Sequence, residues 1–115
     1  MEELIDSIFS DLKTELNSEL TGENDQALLL VKVRNAVDDV ECVRNYQDHH
    51  TDEFKEKDMK RMKPIIKRLA LYDWNTIGAE GHSSYSESGG ISRTFTSRDD
   101  ILSEVIPFAT VLSAQ

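Results

Sequence analysis

GAEGHSSYSESGGISRTF, Gly78 to Phe95, holds four of the chain's five glycines together with five serines and a threonine. It lies between segments whose apolar residues recur at helical spacing, so its reading decides the fold. A phosphate loop, a nucleophile turn, a flexible linker and a built hairpin are the four candidates. A phosphate loop needs glycines followed by Gly-Lys-Ser/Thr at the opening of a helix. Here Gly89 and Gly90 lead into Ile91, with no lysine. A nucleophile elbow needs a second glycine where GHSSY carries Tyr85, and a strand before it. The hairpin survives these tests. HSSYS and ISRTFT suit strands, and ESGG between them supplies turn chemistry, because glycine reaches positive φ freely. The register stays open: a three-residue loop places Tyr85, Ile91, Arg93 and Phe95 on one face, and a two-residue loop does not. A lone two-stranded hairpin is marginal in water, so it must lean on the helices or on another subunit.

Upstream, EELIDSIFSDLKTELNSEL sets Leu4, Ile5, Ile8, Phe9, Leu12 and Leu16 at helical spacing, with Thr21-Gly22 as its end. Its narrow stripe fits a helix lying on a larger body. The second helix is expected from Asn24 or Asp25, with Asn24 as N-cap, to about Tyr46. Leu29, Val33, Ala36, Val40 and Val43 form its stripe, widened by Leu30 and Val37. As the longest and most apolar segment it is read as the central element, with Cys42 as a packed thiol. QDHHTDEF reads as a solvated connection; adjacent His49 and His50 point in different directions and do not make a metal site.

From Asp52 to Gly78, Lys57, Lys60, Arg61, Lys67 and Arg68 share one helical face. Met59, Met62, Ile66, Leu69, Ala70 and Ile77 share the other. Pro64 favours a short helix, a break, and a new helix with Pro64 at N1, in preference to one kinked helix. Tyr72 and Trp74 are expected as core or interface aromatics. Facing an acidic body, the basic stripe is expected to pair with carboxylates. The last helix is placed in TSRDDILSEVI, with Ser97 and Asp100 as a capping box, Ile101, Leu102, Val105 and Ile106 as its apolar face, and Pro107 as its stop.

The chain of 115 residues carries a net charge of −9, with 38% hydrophobic and 30% charged residues. That is one domain's worth of chain with a small core, which fits reliance on neighbours. An acidic chain has no general electrostatic reason to hold nucleic acid. Acidic residues dominate Met1–Glu53, whereas Phe54–Asp73 is locally basic, a distribution that suits head-to-tail contacts between copies. The single cysteine implies a reducing compartment, and no apolar run approaches the length of a membrane span. No catalytic residues, cofactor or metal ligands are expected. Asp38-Asp39 and Asp99-Asp100 lie on polar faces without a cleft, and His82 beside Ser83 and Ser84 is not a triad.

A helix ending in an aromatic-rich turn and followed by IGAEGHSSYSESGGISRTF resembles the head–tail connector (adaptor) proteins of long-tailed phages and prophages. Asn75, Gly78, Ala79, Glu80, Gly81, Ser83, Ser84, Ser86, Gly90, Ile91, Ser92, Arg93, Thr94 and Phe95 carry the resemblance, over about twenty residues. Relative to that family's pattern the His49–Lys63 region is lengthened. The resemblance implies a virion protein, assembled in host cytoplasm and placed at the head–tail joint. It would form a ring, dodecameric by resemblance, below the portal protein, extend the DNA channel and receive a tail completion or stopper protein. DNA would pass an acidic lumen without specific binding, and no membrane is involved.

The expected fold is therefore mainly α: a small bundle of about four helices in a single domain over residues 1–115. One β-hairpin, at about residues 82–96, lies between the third and last helices, and residues 107–115 form an extended C-terminal tail. The expected subunit or portal interface comprises Gly78, Glu80, Gly81, Ser83, Ser84, Tyr85, Gly89, Gly90, Ile91, Arg93, Phe95, Phe108, Val111 and Leu112. Lys57, Lys60, Arg61, Lys67 and Arg68 are the expected charged ring contacts. An acidic helical regulatory or antitoxin-like module that binds a basic partner is the alternative.

Overall fold

A computed structural model describes residues 1–76 and 97–109. Five α-helices make up most of them: α1 (Glu2–Glu15), α2 (Glu23–Arg44), α3 (Asp52–Arg61), α4 (Lys63–Asn75) and α5 (Arg98–Leu102). A 3-10 turn, Asn17–Glu19, follows α1. The mainly helical expectation holds. The hairpin at about 82–96, and with it Gly78, Glu80, Gly81, Ser83, Ser84, Tyr85, Gly89, Gly90, Ile91, Arg93 and Phe95, lies outside the described residues, as do Val111 and Leu112.

Helical periodicity builds one core. Leu4, Ile5, Ile8 and Leu12 of α1 meet Leu29, Val33, Ala36, Val37 and Val40 of α2 and Ile66, Leu69 and Ala70 of α4. Met59 of α3, Ile101 of α5, and Leu16 and Val105 just beyond α1 and α5 complete it. The centre is shared by α4 and the longer α2, which pack most extensively on each other; α4 also packs against α1, α3 and α5. Tyr72 and Trp74 lie half-buried against the core, and the Trp74 indole N–H donates to Glu19 at 3.2 Å.

Helix boundaries follow local chemistry. Thr21 donates its backbone N–H and hydroxyl to the Asp25 carboxylate, at 2.9 and 2.8 Å, just ahead of α2. The helix therefore starts at Glu23 behind Gly22, and Asn24 is not its cap. Asn45 ends it at φ 60, a left-handed conformation that asparagine tolerates better than most residues. The Thr51 hydroxyl caps α3 by accepting from Phe54 N–H at 3.1 Å. Pro64 falls in the first turn of α4, where the missing N–H has no intrahelical partner to lose, so the expected break occurs at Met62.

The Ser97–Asp100 capping box is present, with Ser97 Oγ accepting from Asp100 N–H at 3.1 Å and Asp100 accepting from Ser97 N–H at 3.2 Å. The helix it opens is shorter than expected. Pro107 disfavours helical geometry at Ile106 and its ring clashes with the carbonyl four residues back. The chain turns at Ser103–Val105, and Ile106 is 73% exposed instead of joining the apolar face. Ser97→Ala is expected to destabilise the fold by about 1 kcal/mol, seen as a lower urea midpoint at unchanged slope.

Cys42 also departs from expectation, since it is exposed. On α2 it continues the outer row of Val31, Asn35 and Asp38, on the side of the helix opposite the buried row that ends at Val40.

Candidate functional site

The most constructed polar feature among the described residues lies at the elbow between α2 and α3. Arg44, at the last turn of α2, reaches across to Asp58 of α3. Its Nε and Nη2 donate to the two carboxylate oxygens at 2.7 and 3.0 Å. The Tyr46 hydroxyl donates to the same carboxylate at 2.7 Å. Asp58 is 4% exposed, the one buried charged side chain among the described residues. A carboxylate so placed survives only when paired and hydrogen-bonded. The Arg44 hydrogen bonds hold the Asp58 carboxyl below its ordinary pKa, against the opposing effect of burial. Burial, followed by the bond to Asp58, pushes the Tyr46 phenol well above its usual value.

Around this pair the aromatic rings close a box. His50 stacks on Phe54, centroids 4.8 Å apart, and meets Tyr46 edge-on at 5.8 Å. Its Nδ1 accepts the Gln47 backbone N–H at 2.9 Å, which requires that nitrogen to be unprotonated. Burial, then the charge of neighbouring His49, lower the His50 pKa in the same sense. The QDHHTDEF connection is thus not simply solvated: His50 is half-buried in the box, while His49 is exposed.

The chain's own C-terminal segment fills the box. Phe108 sits 4.5 Å from His50 and 5.7 Å from Tyr46, with the Arg44 guanidinium 3.9 Å above its ring. Its N–H donates to the Arg44 carbonyl at 2.8 Å, and Asn45 Nδ2 donates to its carbonyl at 2.9 Å. Arg44 Nη1 also donates to the Ile106 carbonyl. Of the expected interface residues, Phe108 is the one the structure describes, and it is placed on its own subunit.

The basic stripe divides between two helices. Lys67 of α4 pairs with Glu15 at 2.7 Å and Asp11 at 3.6 Å of α1, and Lys63 joins Asp11 at 3.0 Å. Arg68 pairs with Glu104 at 2.6 Å. These cations rim a shallow groove between α1 and α4, floored by Leu12, Pro64 and Leu71, and intramolecular carboxylates balance their charge. Pairing with the acidic body, expected from charge placement, holds for Lys67 and Arg68. Lys57, Lys60 and Arg61 of α3 are exposed and make no ion pair among the described residues.

A second clamp joins the flanks of residues 77–96. Arg98, at the start of α5, donates to both carboxylate oxygens of Asp73 near the end of α4, at 2.8 and 3.1 Å, and to Asp39 of α2. The Asp73 bonds raise the Arg98 pKa further above its already high value.

No family model, curated protein or solved structure matches the chain. The geometry therefore carries the functional reading. Nothing in the elbow pairs a nucleophile with a base beside an open cleft, since its donors and acceptors are engaged with one another. The arrangement holds an extended segment by main-chain hydrogen bonds and one aromatic anchor, which is chemistry for docking.

Proposed function

We propose that the chain is a structural subunit that assembles with copies of itself into a ring. In the role its glycine-rich sequence suggests, that ring lies below a portal and joins a DNA-filled phage head to its tail. The observation that carries this reading is the Arg98–Asp73–Asp39 clamp, which pins the two flanks of residues 77–96 to one point on the helical body. A segment tethered at both ends to one rigid point is held where it can project as a hairpin arm and contact a neighbour. Gly78, Gly81, Gly89 and Gly90 punctuate that segment where turns are needed.

Charge distribution supports head-to-tail contacts. Lys67 and Arg68 are committed within the subunit, whereas Lys57, Lys60 and Arg61 of the same basic stripe are exposed on α3 without an ion pair among the described residues and would meet a neighbour's acidic surface. Heterologous contacts of this kind close into rings when the rotation between subunits permits. The net charge of −9 would give a bore that does not retain DNA, because few cations are present to displace its counterions. A bore lined by Lys57, Lys60 and Arg61 would contradict that part of the reading.

Gly89→Val combined with Gly90→Val tests the arm. Valine is strongly disfavoured at positive φ, so the turn should fail while the helical body, which contains neither residue, persists. The expected result is loss of oligomers by sedimentation velocity with an unchanged far-ultraviolet circular dichroism spectrum. Retained oligomers, or an unfolded monomer, would each remove the arm from the assembly. A dimer, or a tight complex with a basic protein, would favour the regulatory alternative.

A further inference from the structure

We infer that the α2–α3 elbow is a docking site for an extended, uncharged segment bearing one aromatic anchor. Its occupant in an assembly is the C-terminal segment of a second copy of this chain. The identity of the occupant as a second copy rests on the ring reading above; the docking chemistry does not.

Three observations point there. The elbow grips the segment almost wholly through backbone atoms: Phe108 N–H on the Arg44 carbonyl, Asn45 on the Phe108 carbonyl, and Arg44 on the Ile106 carbonyl. Those bonds need an extended backbone in register and do not depend on which chain supplies it. Specificity comes from one ring, Phe108, which lies under the Arg44 guanidinium and against the tilted rings of Tyr46, His50 and Phe54. The connection between core and anchor adds no packing, since Val105 is buried at 2% exposure while the next residue, Ile106, is 73% exposed. A linker tied down by one backbone hydrogen bond and no buried side chain is a natural point for exchanging an element between copies.

Sequence supplies the third observation. No charged side chain occurs from Val105 to Gln115, in a chain that is 30% charged overall. VIPFATVLSAQ is composed as a segment to be covered by protein, not as a solvated tail. In cis the elbow covers its Phe108; in trans the same contacts would link one subunit to the next, with the number of bonds at each elbow unchanged.

The test uses full-length protein carrying Phe108→Ala, which vacates the box, and a fluorescent synthetic peptide of residues 105–115. The peptide should bind the variant at least tenfold more tightly than it binds wild-type protein, whose own segment competes. A peptide carrying the same alanine should lose at least tenfold. A folded variant that ignores the peptide, or that takes both peptides equally, overturns the docking site. Should Phe108→Ala not fold, wild-type protein is titrated with excess peptide, following the Tyr46 and His50 ring resonances; unmoved resonances overturn the proposal. Excess peptide should also convert wild-type oligomers into smaller species. Oligomers that persist overturn the second copy as occupant and leave the ring reading intact. Protein that is monomeric throughout while its vacated elbow binds peptide overturns the second copy together with the ring.

Discussion

Asp58→Ala is expected to cost about 3 kcal/mol of folding stability, lowering the urea midpoint by about 2 M. The aspartate is buried and is the shared acceptor of Arg44 and Tyr46. Deleting it leaves a guanidinium whose side chain is 16% exposed without its counter-charge, and a phenol without its acceptor. Removing one member of a buried pair costs about 3–5 kcal/mol, because the other charge stays desolvated. Partial access of water to Arg44 places this site at the lower end.

The loss should depend on pH in a defined direction. Asp58 has a folded pKa depressed below its ordinary value, chiefly by the Arg44 hydrogen bonds. Its contribution is complete above the unfolded carboxylate pKa of about 3.9 and disappears as pH falls through the lower folded value. Wild type and Asp58→Ala should therefore differ fully at pH 7 and converge in acid, below about pH 4. A gap that stays constant from pH 7 to pH 3 would mean that the carboxylate's charge is not what holds the elbow.

Leu69→Ala is expected to cost about 3–5 kcal/mol, enough to unfold most of a marginally stable domain. Leu69 is fully buried on α4, the helix that touches every other helix, so the cavity would open where all of them meet. The surroundings have little freedom to collapse, because the α1, α2 and α5 side chains that line the core are fixed by their own packing. Leu71, two positions along and half-buried at the edge of the α1–α4 groove, provides the contrast. Leu71→Ala should cost about 1 kcal/mol, in proportion to the smaller area it hides. Chemical denaturation of both variants checks the pair, and equal losses would argue that α4 is not at the centre of the core.

The helical body was largely legible from the chain because its signals are local. Apolar spacing gave α1, α2 and α4, Pro64 gave the break between α3 and α4, and Ser97 with Asp100 gave the start of α5. What escaped depends on particular side-chain contacts that apolar spacing does not show. Asn24 looked like a cap, but the Thr21–Asp25 bonds span it at the start of α2. Cys42 looked buried because α2 carries apolar residues on several faces, Leu28 at 37% and Val31 at 49% exposure among them, which blurs the stripe.

The elbow was missed for the same reason. Arg44 and Asp58 are 14 positions apart, and Asn45 and Phe108 63 apart, so no window joins them. A faint signal exists in Tyr46, His50 and Phe54, spaced four residues apart across a connection otherwise read as solvated. The uncharged run after Val105 is another, and together they mark a box and something to fill it. The basic stripe was half right: carboxylates do claim Lys67 and Arg68, while Lys57, Lys60 and Arg61 face outward on a separate helix.

Self-assembly is the claim on which the functional account stands, and the mass of the particle formed by purified protein tests it most directly. Native mass spectrometry over a wide concentration range should find a discrete closed oligomer of one stoichiometry, in exchange with monomer. Protein that stays monomeric at every concentration, or that grows into open polymers of no fixed size, would contradict it.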